Sequence, residues 1–132
     1  MVVEDNELVR ETLVALLETA ADITVVAECG DGADCLEMAR VTQPDVVLMD
    51  VVMPRVGGIE ATRILLAAAP DTRVVLLTGR MSTALVRAAH ALGAVGYLLK
   101  GDDPAGLTTA IRAVAEGGTA WSPPAAAAIA SG

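Results

Sequence analysis

The sequence is poor in aromatic residues and in positive charge. It contains no phenylalanine, one tyrosine and one tryptophan in 132 residues, and its formal net charge is -8. Because a nucleic-acid-binding surface needs clustered Lys and Arg to replace counterions, this charge argues against direct nucleic-acid binding. With so few rings, the hydrophobic residues, 54% of the chain, must form a core that is mainly aliphatic.

Cysteine and long apolar runs are also scarce. Cys29 and Cys35 lack the paired spacing of a zinc site, and we expect both to be reduced and buried. No apolar run reaches the roughly 20 residues that a membrane-spanning helix needs, and no signal-peptide pattern follows Met1. We therefore expect a cytoplasmic protein that does not enter a membrane.

The order of apolar patterns indicates an α/β protein. Short β-branched runs alternate with longer amphipathic stretches, which predicts βα units joined into a parallel sheet. Strands are expected near residues 1–5, 24–29, 46–50, 73–78 and 96–100. Helices are expected after Asn6, which is a plausible N-cap, and near residues 32–42, 58–69, 82–92 and 104–116.

This alternation predicts a flavodoxin-like, doubly wound three-layer sandwich with a five-stranded parallel sheet and five helices. Right-handed crossovers leave few strand orders for such a sheet, and 2-1-3-4-5 is a common one. A chain of this length is expected to form one domain, which we place at residues 1–117. Gly117-Gly118 breaks the fifth helix, so residues 118–132 are predicted to be a linker or C-terminal tail, or the start of another element.

Four apolar runs end on reactive side chains. Glu4 and Asp5 follow the first run, and Asp50, Thr78 and Lys100 end the later ones. The carboxyl ends of parallel strands lie side by side, and open α/β sheets bind ligands at that edge. Charged residues often end strands simply by entering solvent, but the joint occurrence of these side chains, including the only lysine, predicts a shared site.

The chemistry of these residues suits a divalent cation and a phosphoryl group. Three carboxylates at close distance repel one another unless a cation neutralises them. Mg²⁺ fits because it binds few carboxylates, keeps several waters and accepts phosphate oxygens as further ligands. Lys100 and Thr78 supply a positive charge and a hydroxyl donor for phosphoryl oxygens, and Asp50 is the expected nucleophile.

The same residues lie in segments that resemble the receiver domain of bacterial response regulators. The matching segments are Val3-Glu4-Asp5-Asn6, Asp50-Val51-Val52-Met53-Pro54, Gly58 with Glu60, Leu77-Thr78, and Gly93-Ala94-Val95-Gly96-Tyr97-Leu98-Leu99-Lys100. The resemblance extends over residues 2–116 in consistent order and spacing. It implies a two-component signal transduction protein that catalyses its own phosphotransfer and slow autodephosphorylation, and that is not a conventional enzyme.

The resemblance implies a role for each residue of the metal site. Asp5 would bind Mg²⁺ directly, and Glu4 would act on the metal mainly through water. The backbone carbonyl of Val52 would be another ligand. Asp50 would belong to the same site and would accept the phosphoryl group from a sensor histidine kinase.

The resemblance also implies how the phosphoryl group is held and detected. Lys100 and Thr78 would hold its oxygens, and Tyr97 matches the aromatic switch of the family. Thr78 drawn towards the phosphoryl group would vacate space beside the fourth helix, into which the Tyr97 ring would turn. The alternative is that Tyr97 is an ordinary amphipathic strand residue with its hydroxyl in water.

Within the receivers, the end of the sequence looks like the NarL/FixJ subgroup. Gly101 rather than proline follows Lys100, and two further segments complete the likeness: Glu116-Gly117-Gly118 and Trp121-Ser122-Pro123. Such proteins usually continue into a LuxR-type helix-turn-helix domain, so transcription regulation would belong to an output domain absent from this chain. The family suggests a homodimer, through helix 1 with helix 5 or through the helix 4, strand 5 and helix 5 face.

Two other functions stay open from the residues. A Mg²⁺-dependent phosphatase of the haloacid dehalogenase type also uses a strand-end Asp nucleophile. It normally needs a second Asp two residues later, where this chain has Val52. A receiver-like interaction module that acts without phosphorylation would keep the fold, but it would not need the complete acceptor, metal and lysine set.

Three residues outside the crevice also carry expectations. Arg80 follows Thr78 closely enough to reach over the site, and we hypothesise that Arg80 and Val52 tune the lifetime of the phosphorylated state. His90 is expected at the surface or half-buried, away from the acidic edge. Trp121 is expected to cover the domain edge or a neighbouring chain.

Overall fold

The computed structural model describes residues 1–131 as a parallel sheet of six strands with six helices. The strands are β1 (Val2–Val3), β2 (Glu28–Cys29), β3 (Val46–Asp50), β4 (Arg73–Thr78), β5 (Gly96–Leu99) and β6 (Ala120–Trp121). The helices are α1 (Glu7–Glu18), α2 (Cys35–Thr42), α3 (Gly58–Ala68), α4 (Thr83–Leu92), α5 (Pro104–Ala115) and α6 (Pro123–Ala130). The strand order is β2-β1-β3-β4-β5-β6, and neighbouring strands pair in parallel.

The predicted doubly wound fold and the order 2-1-3-4-5 are confirmed, but the first two strands are shorter than expected. Glu4 and Asp5 lie beyond the end of β1, and β2 holds only the last two residues of the predicted segment 24–29. Because β2 lies at the sheet edge and pairs only with β1, its ladder can be no longer than that strand.

Of the two readings of the C-terminal segment, the linker or tail is wrong, because the segment forms further elements that fold against the domain. Residues 120–121 form β6, which pairs with Gly96 and Tyr97 of β5, and α6 packs against α4. Small apolar residues explain this packing, since Ala125 and Ala128 of α6 are buried in the core. Within residues 1–131, the domain therefore has six strands and six α-helices, one strand and one helix more than predicted.

Trp121 and His90 meet where this added segment joins the domain. Trp121 lies on the edge strand β6, as expected for a residue that covers the domain edge, and it packs edge-on against His90 of α4. The two ring centroids are 5.6 Å apart. His90 is exposed, which confirms its predicted surface position.

Two aliphatic clusters fill the faces of the sheet. Alternate strand residues point to opposite sides, so Val47 and Met49 join the cluster beneath α2, α3, α4 and α6, while Leu48 joins the one beneath α1 and α5. Cys29 and Cys35 are buried and free, as predicted. Among residues 1–131, no helix combines the length and apolar character needed to span a bilayer.

Short-range signals set the helix starts. The Asn6 side chain accepts a hydrogen bond from the backbone N–H of Val9 at 3.0 Å, which caps α1 as predicted. The Ser82 hydroxyl caps α4 through the N–H of Leu85 at 3.2 Å. Pro104 is the first residue of α5, where the missing N–H of proline costs no hydrogen bond.

Candidate functional site

The sheet brings four reactive strand ends to one edge. Glu4 follows β1 and Asp50 ends β3, and these two strands pair directly. Thr78 ends β4, and Lys100 follows β5. The backbone N–H of Lys100 donates to the carbonyl of Thr78 at 2.8 Å, which joins the last two ends.

Three carboxylates form an acidic cluster at this edge. One oxygen from each of Glu4, Asp5 and Asp50 lies within 4.8 Å of the others. Glu4 is 2% and Asp50 is 6% exposed, whereas Asp5 is exposed to solvent. Only hard oxygen donors are present in this cluster, and such a set fits Mg²⁺, which binds few carboxylates and completes its shell with water.

Lys100 neutralises part of this negative charge. Its Nζ lies 3.1 Å from Oε1 and 3.0 Å from Oε2 of Glu4, and 3.2 Å from Oδ1 of Asp50. The side chain crosses from the end of β5 to the ends of β1 and β3. An ammonium group at this position is within reach of any anion bound to Asp50.

The pKa values of Glu4 and Lys100 reflect this arrangement. Burial and, after it, the neighbouring Asp50 raise the pKa of Glu4 to about 7, while Lys100 opposes the change. Burial alone would lower the pKa of Lys100, but its hydrogen bond to Glu4 and the charge of Asp50 raise it above the ordinary value. Lys100 is therefore charged and offsets part of the repulsion between Glu4 and Asp50.

The loop after Asp50 depends on one glycine. The N–H of Gly58, the first residue of α3, donates to the carbonyl of Val51 at 2.8 Å. A Cβ atom at Gly58 would overlap the carbonyl oxygen of Asp50. The missing side chain therefore lets α3 begin directly against Asp50. Val52 in the same loop is 74% exposed, so its side chain lies in solvent.

Asp31 supports this loop from the opposite side and was not singled out from the sequence. Its carboxylate accepts hydrogen bonds from the N–H groups of Arg55 at 3.0 Å, Val56 at 2.9 Å and Ala33 at 2.9 Å. Burial would raise the pKa of Asp31, but the three N–H donors hold it below its usual range. The sequence Gly30-Asp31-Gly32 predicts only a turn. The hydrogen bond between Asp31 and Arg55 joins residues 24 positions apart in the sequence, so only the fold shows it.

Tyr97 is turned into the core. Its side chain is fully buried, and its hydroxyl donates a 3.1 Å hydrogen bond to the backbone carbonyl of Arg80. The alternative that Tyr97 is a strand residue with its hydroxyl in water is therefore wrong. Burial raises the pKa of this hydroxyl above its ordinary value.

The structure joins some of the predicted site residues more closely than others. Glu4, Asp50 and Lys100 are linked by hydrogen bonds, and Asp5 completes the acidic cluster. The side chain of Thr78 is buried at the same edge but makes no hydrogen bond to those residues within the described chain. Tyr97 contacts the loop after Thr78 rather than the acidic cluster.

A doubly wound parallel sheet with an acidic cluster and a lysine at its carboxyl edge defines a receiver domain. Residues 1–112 match the family of response regulator receiver domains, and the chain belongs to that family. It is a receiver domain of two-component systems, and receiver domains of transcriptional response regulators are in general not conventional enzymes.

Relatives among known sequences are transcriptional response regulators. The chain is 46% identical over 114 residues to the transcriptional regulatory protein YxjL of Bacillus subtilis, covering 86% of this chain and 52% of YxjL. It is 43% identical over 121 residues to the response regulator GacA of Pseudomonas aeruginosa, covering 89% of this chain and 55% of GacA. The chain therefore spans about half the length of these relatives.

Solved structures agree with the predicted subgroup. A LuxR-family two-component response regulator from Aurantimonas sp. SI85-9A1 has a TM-score of 0.93 at 39% identity, covering 99% of this chain and 94% of that chain. The signal receiver domain of the putative response regulator NarL from Mycobacterium tuberculosis has a TM-score of 0.83 at 34% identity. This match covers 88% of this chain and 94% of that chain. The predicted NarL and LuxR relationship is confirmed.

Proposed function

We propose that Asp50 accepts a phosphoryl group from a histidine kinase in a Mg²⁺-dependent reaction. One observation carries the proposal: the Asp50 carboxylate, 6% exposed, lies 3.2 Å from the Lys100 ammonium and within 4.8 Å of Glu4 and Asp5 oxygens. A nucleophile, a cationic group and metal ligands therefore share one crevice. Phosphoryl transfer depends mainly on such positioning and charge neutralisation.

The metal ligands would come from two loops, those that follow β1 and β3. Asp5 and Asp50 would bind Mg²⁺ directly, Glu4 would act mainly through water, and the backbone carbonyl of Val52 would add a further oxygen. When bound, Mg²⁺ would neutralise the carboxylates and the phosphoryl oxygens. The exposed position of Asp5 supports this assignment, because the metal must exchange with solvent.

In the phosphoryl transfer, one bond forms and one bond breaks. A carboxylate oxygen of Asp50 would attack the phosphorus of a phosphohistidine, and the P–N bond would break as the O–P bond forms. The electron pair of the broken bond would leave with the imidazole nitrogen. Lys100 and the Thr78 hydroxyl would donate hydrogen bonds to the transferred oxygens. Slow hydrolysis of the aspartyl phosphate by water would then reset the site.

The signal would leave the site through Thr78 and Tyr97. Movement of the Thr78 hydroxyl towards a phosphoryl oxygen would rearrange the loop that begins after β4. The Tyr97 hydroxyl is bonded to Arg80 in that same loop, which supports a mechanical connection between Thr78, the loop and α4. Phosphorylation would thereby favour one arrangement of the α4 surface over another.

The α4 surface, once rearranged by phosphorylation, would control a second domain of a longer protein. The relatives are transcriptional regulators about twice as long as this chain, so we propose a LuxR-type DNA-binding output domain as the regulated part. This acidic domain would not contact DNA itself, because its net charge of -8 opposes the phosphate backbone.

For a homodimer, two observations favour the α1 and α5 surface over the α4, β5 and α5 face. β6 pairs with the edge of β5 and α6 packs against α4, so part of the second face is already covered. On α1, Leu8 is 72% exposed and could enter an apolar interface. Sedimentation of the wild type and Leu8→Glu, before and after phosphorylation, tests this choice: a dimer that persists in Leu8→Glu would contradict it.

Incubation with acetyl phosphate and Mg²⁺, followed by intact mass, tests the phosphoacceptor role. We expect one phosphoryl adduct on the wild type and on the surface variant Glu18→Gln, and none on Asp50→Asn or without Mg²⁺. An unmodified wild type would favour an interaction module that works without phosphorylation. Rapid turnover of unrelated phosphate esters would favour a phosphatase.

A further inference from the structure

Arg10 of α1 contacts the backbone that carries the acidic pair. Its Nη1 donates to the carbonyl oxygen of Glu4 at 2.8 Å, and its Nε lies 3.6 Å from Oε1 of Glu28 in β2. The Arg10 side chain is only 20% exposed, whereas that of Glu28 is 47% exposed. Arg10 therefore joins α1 to the ends of two neighbouring strands.

The bonded carbonyl belongs to the peptide that leads into Asp5. Because a peptide unit is planar, a donor that holds the Glu4 oxygen also holds the orientation of the N–H and Cα of Asp5. The N–H of Glu4 donates to the carbonyl of Cys29 at 3.0 Å, so the residue is held on both sides. β1 ends at Val3, and Arg10 supplies a constraint beyond the reach of that short strand.

We propose that Arg10 is a positioning residue for Mg²⁺ binding by Glu4 and Asp5. This inference rests on the proposed function, which assigns the metal to these carboxylates. Arg10 acts through the Glu4 carbonyl and touches neither the metal nor the phosphoryl group. Groups that orient metal ligands in this way commonly change metal affinity by about ten- to hundredfold when they are removed.

Two effects of Arg10 on metal binding have opposite signs. As a cation close to the acidic cluster, Arg10 repels Mg²⁺, so a role through charge alone predicts tighter binding after its removal. As a donor to the Glu4 carbonyl, it keeps the ligands in place, so its removal weakens binding. The neighbouring Glu28 offsets the charge of Arg10, which leaves the hydrogen bond as the larger effect.

Mg²⁺ titration at constant ionic strength separates the two effects, with the amide signals of Asp5 and Val52 followed by NMR. Arg10→Met keeps the aliphatic stem but removes the donor and the charge, and we expect about tenfold weaker Mg²⁺ binding. Arg10→Lys keeps the charge and a single donor, and we expect an affinity between those of Arg10→Met and the wild type. Glu28→Gln keeps the contact of Arg10 with Glu4 but no longer offsets the charge of Arg10, so we expect Mg²⁺ binding that is slightly weaker than in the wild type and clearly tighter than in Arg10→Met.

Arg112→Met is the matched control, because it removes an exposed arginine that pairs with Asp22 on the surface. We expect Arg112→Met to bind Mg²⁺ with the affinity of the wild type, even where the loss of this ion pair lowers its melting temperature. Equal or tighter Mg²⁺ binding by Arg10→Met overturns the inference. If Arg10→Met does not fold, Arg10→Lys decides: weaker binding than wild type supports the inference, and equal binding overturns it. A wild type that does not bind Mg²⁺ overturns the proposed function and the inference with it.

Discussion

The hydroxyl of Tyr97 donates to the backbone carbonyl of Arg80 at 3.1 Å, linking β5 to the loop between β4 and α4. Arg80 lies two residues after Thr78, so the aromatic ring is joined to the same loop as the hydroxyl that would meet a phosphoryl group. This link offers a physical route from the acidic edge to α4.

Tyr97→Phe removes the hydroxyl and keeps the buried ring. We expect a loss of about 0.5 to 1.5 kcal/mol in the free energy of unfolding, because one hydrogen bond is lost and the Arg80 carbonyl loses its partner. Urea denaturation measures this loss. Tyr97→Ala is the comparison, since an aromatic-to-alanine change in a core costs about 3 to 5 kcal/mol. Equal stability of Tyr97→Phe and the wild type would show that the hydrogen bond contributes nothing.

Asp31→Asn should destabilise the loop that follows Asp50. The amide oxygen can still accept the bonds from Ala33 and Val56, but the amide nitrogen would face the N–H of Arg55, which we expect to cost about 1 to 3 kcal/mol. Asp34→Asn is the control, because its partner Arg55 and its own carboxylate are exposed. Urea unfolding with an unchanged midpoint for Asp31→Asn would contradict the proposed support.

The same substitution has a defined pH dependence. The pKa of Asp31 is lower in the folded protein than in the unfolded chain, so its contribution is complete above the unfolded pKa of about 3.9. That contribution is lost as the pH falls through the folded pKa. The stability difference between wild type and Asp31→Asn should therefore be constant from pH 6 to 7 and should shrink below about pH 4. A difference that grows towards acid would contradict the assignment.

Asp5→Asn should remove most of the stabilisation by Mg²⁺ without harming the fold. Asp5 is exposed, and its removal relieves repulsion within the acidic cluster, so we expect an equal or slightly higher melting temperature in the absence of metal. Adding Mg²⁺ should raise the melting temperature of the wild type and of Glu18→Gln, because a ligand stabilises the state that binds it. A full Mg²⁺ effect in Asp5→Asn would place the metal elsewhere.

Arg80→Ala tests the hypothesis that Arg80 and Val52 tune the lifetime of the phosphorylated state. The Arg80 side chain is exposed, and the substitution keeps the backbone carbonyl that Tyr97 uses. Because an exposed ion pair contributes about 0.2 to 1 kcal/mol, we expect the aspartyl phosphate to hydrolyse up to about fivefold faster. Decay of the adduct, followed by intact mass, measures the rate. Arg87→Ala on α4 is the control, and equal rates for Arg80→Ala and the wild type would end the hypothesis.

Part of the fold followed from local patterns. The buried runs at 46–50 and 73–78 have the length and composition of central strands, and the structure places strands at those residues. β2 was less predictable, because the length of an edge strand depends on its partner rather than on its own residues. β6 and α6 could not be read from the sequence, since an alanine-rich segment shows no helical face until it is seen packed against α4.

The sequence by itself determined which reactive groups lie at the carboxyl edge, because strand periodicity and parallel order place Glu4, Asp50 and Lys100 there regardless of packing details. Only the tertiary structure decided how these groups pair: Lys100 bonds to both Glu4 and Asp50, and Tyr97 bonds to Arg80. It also showed that Arg10 and Asp31 hold the surrounding loops. These contacts join residues on different elements, and their geometry depends on how helices and loops pack over the sheet, which no local pattern encodes.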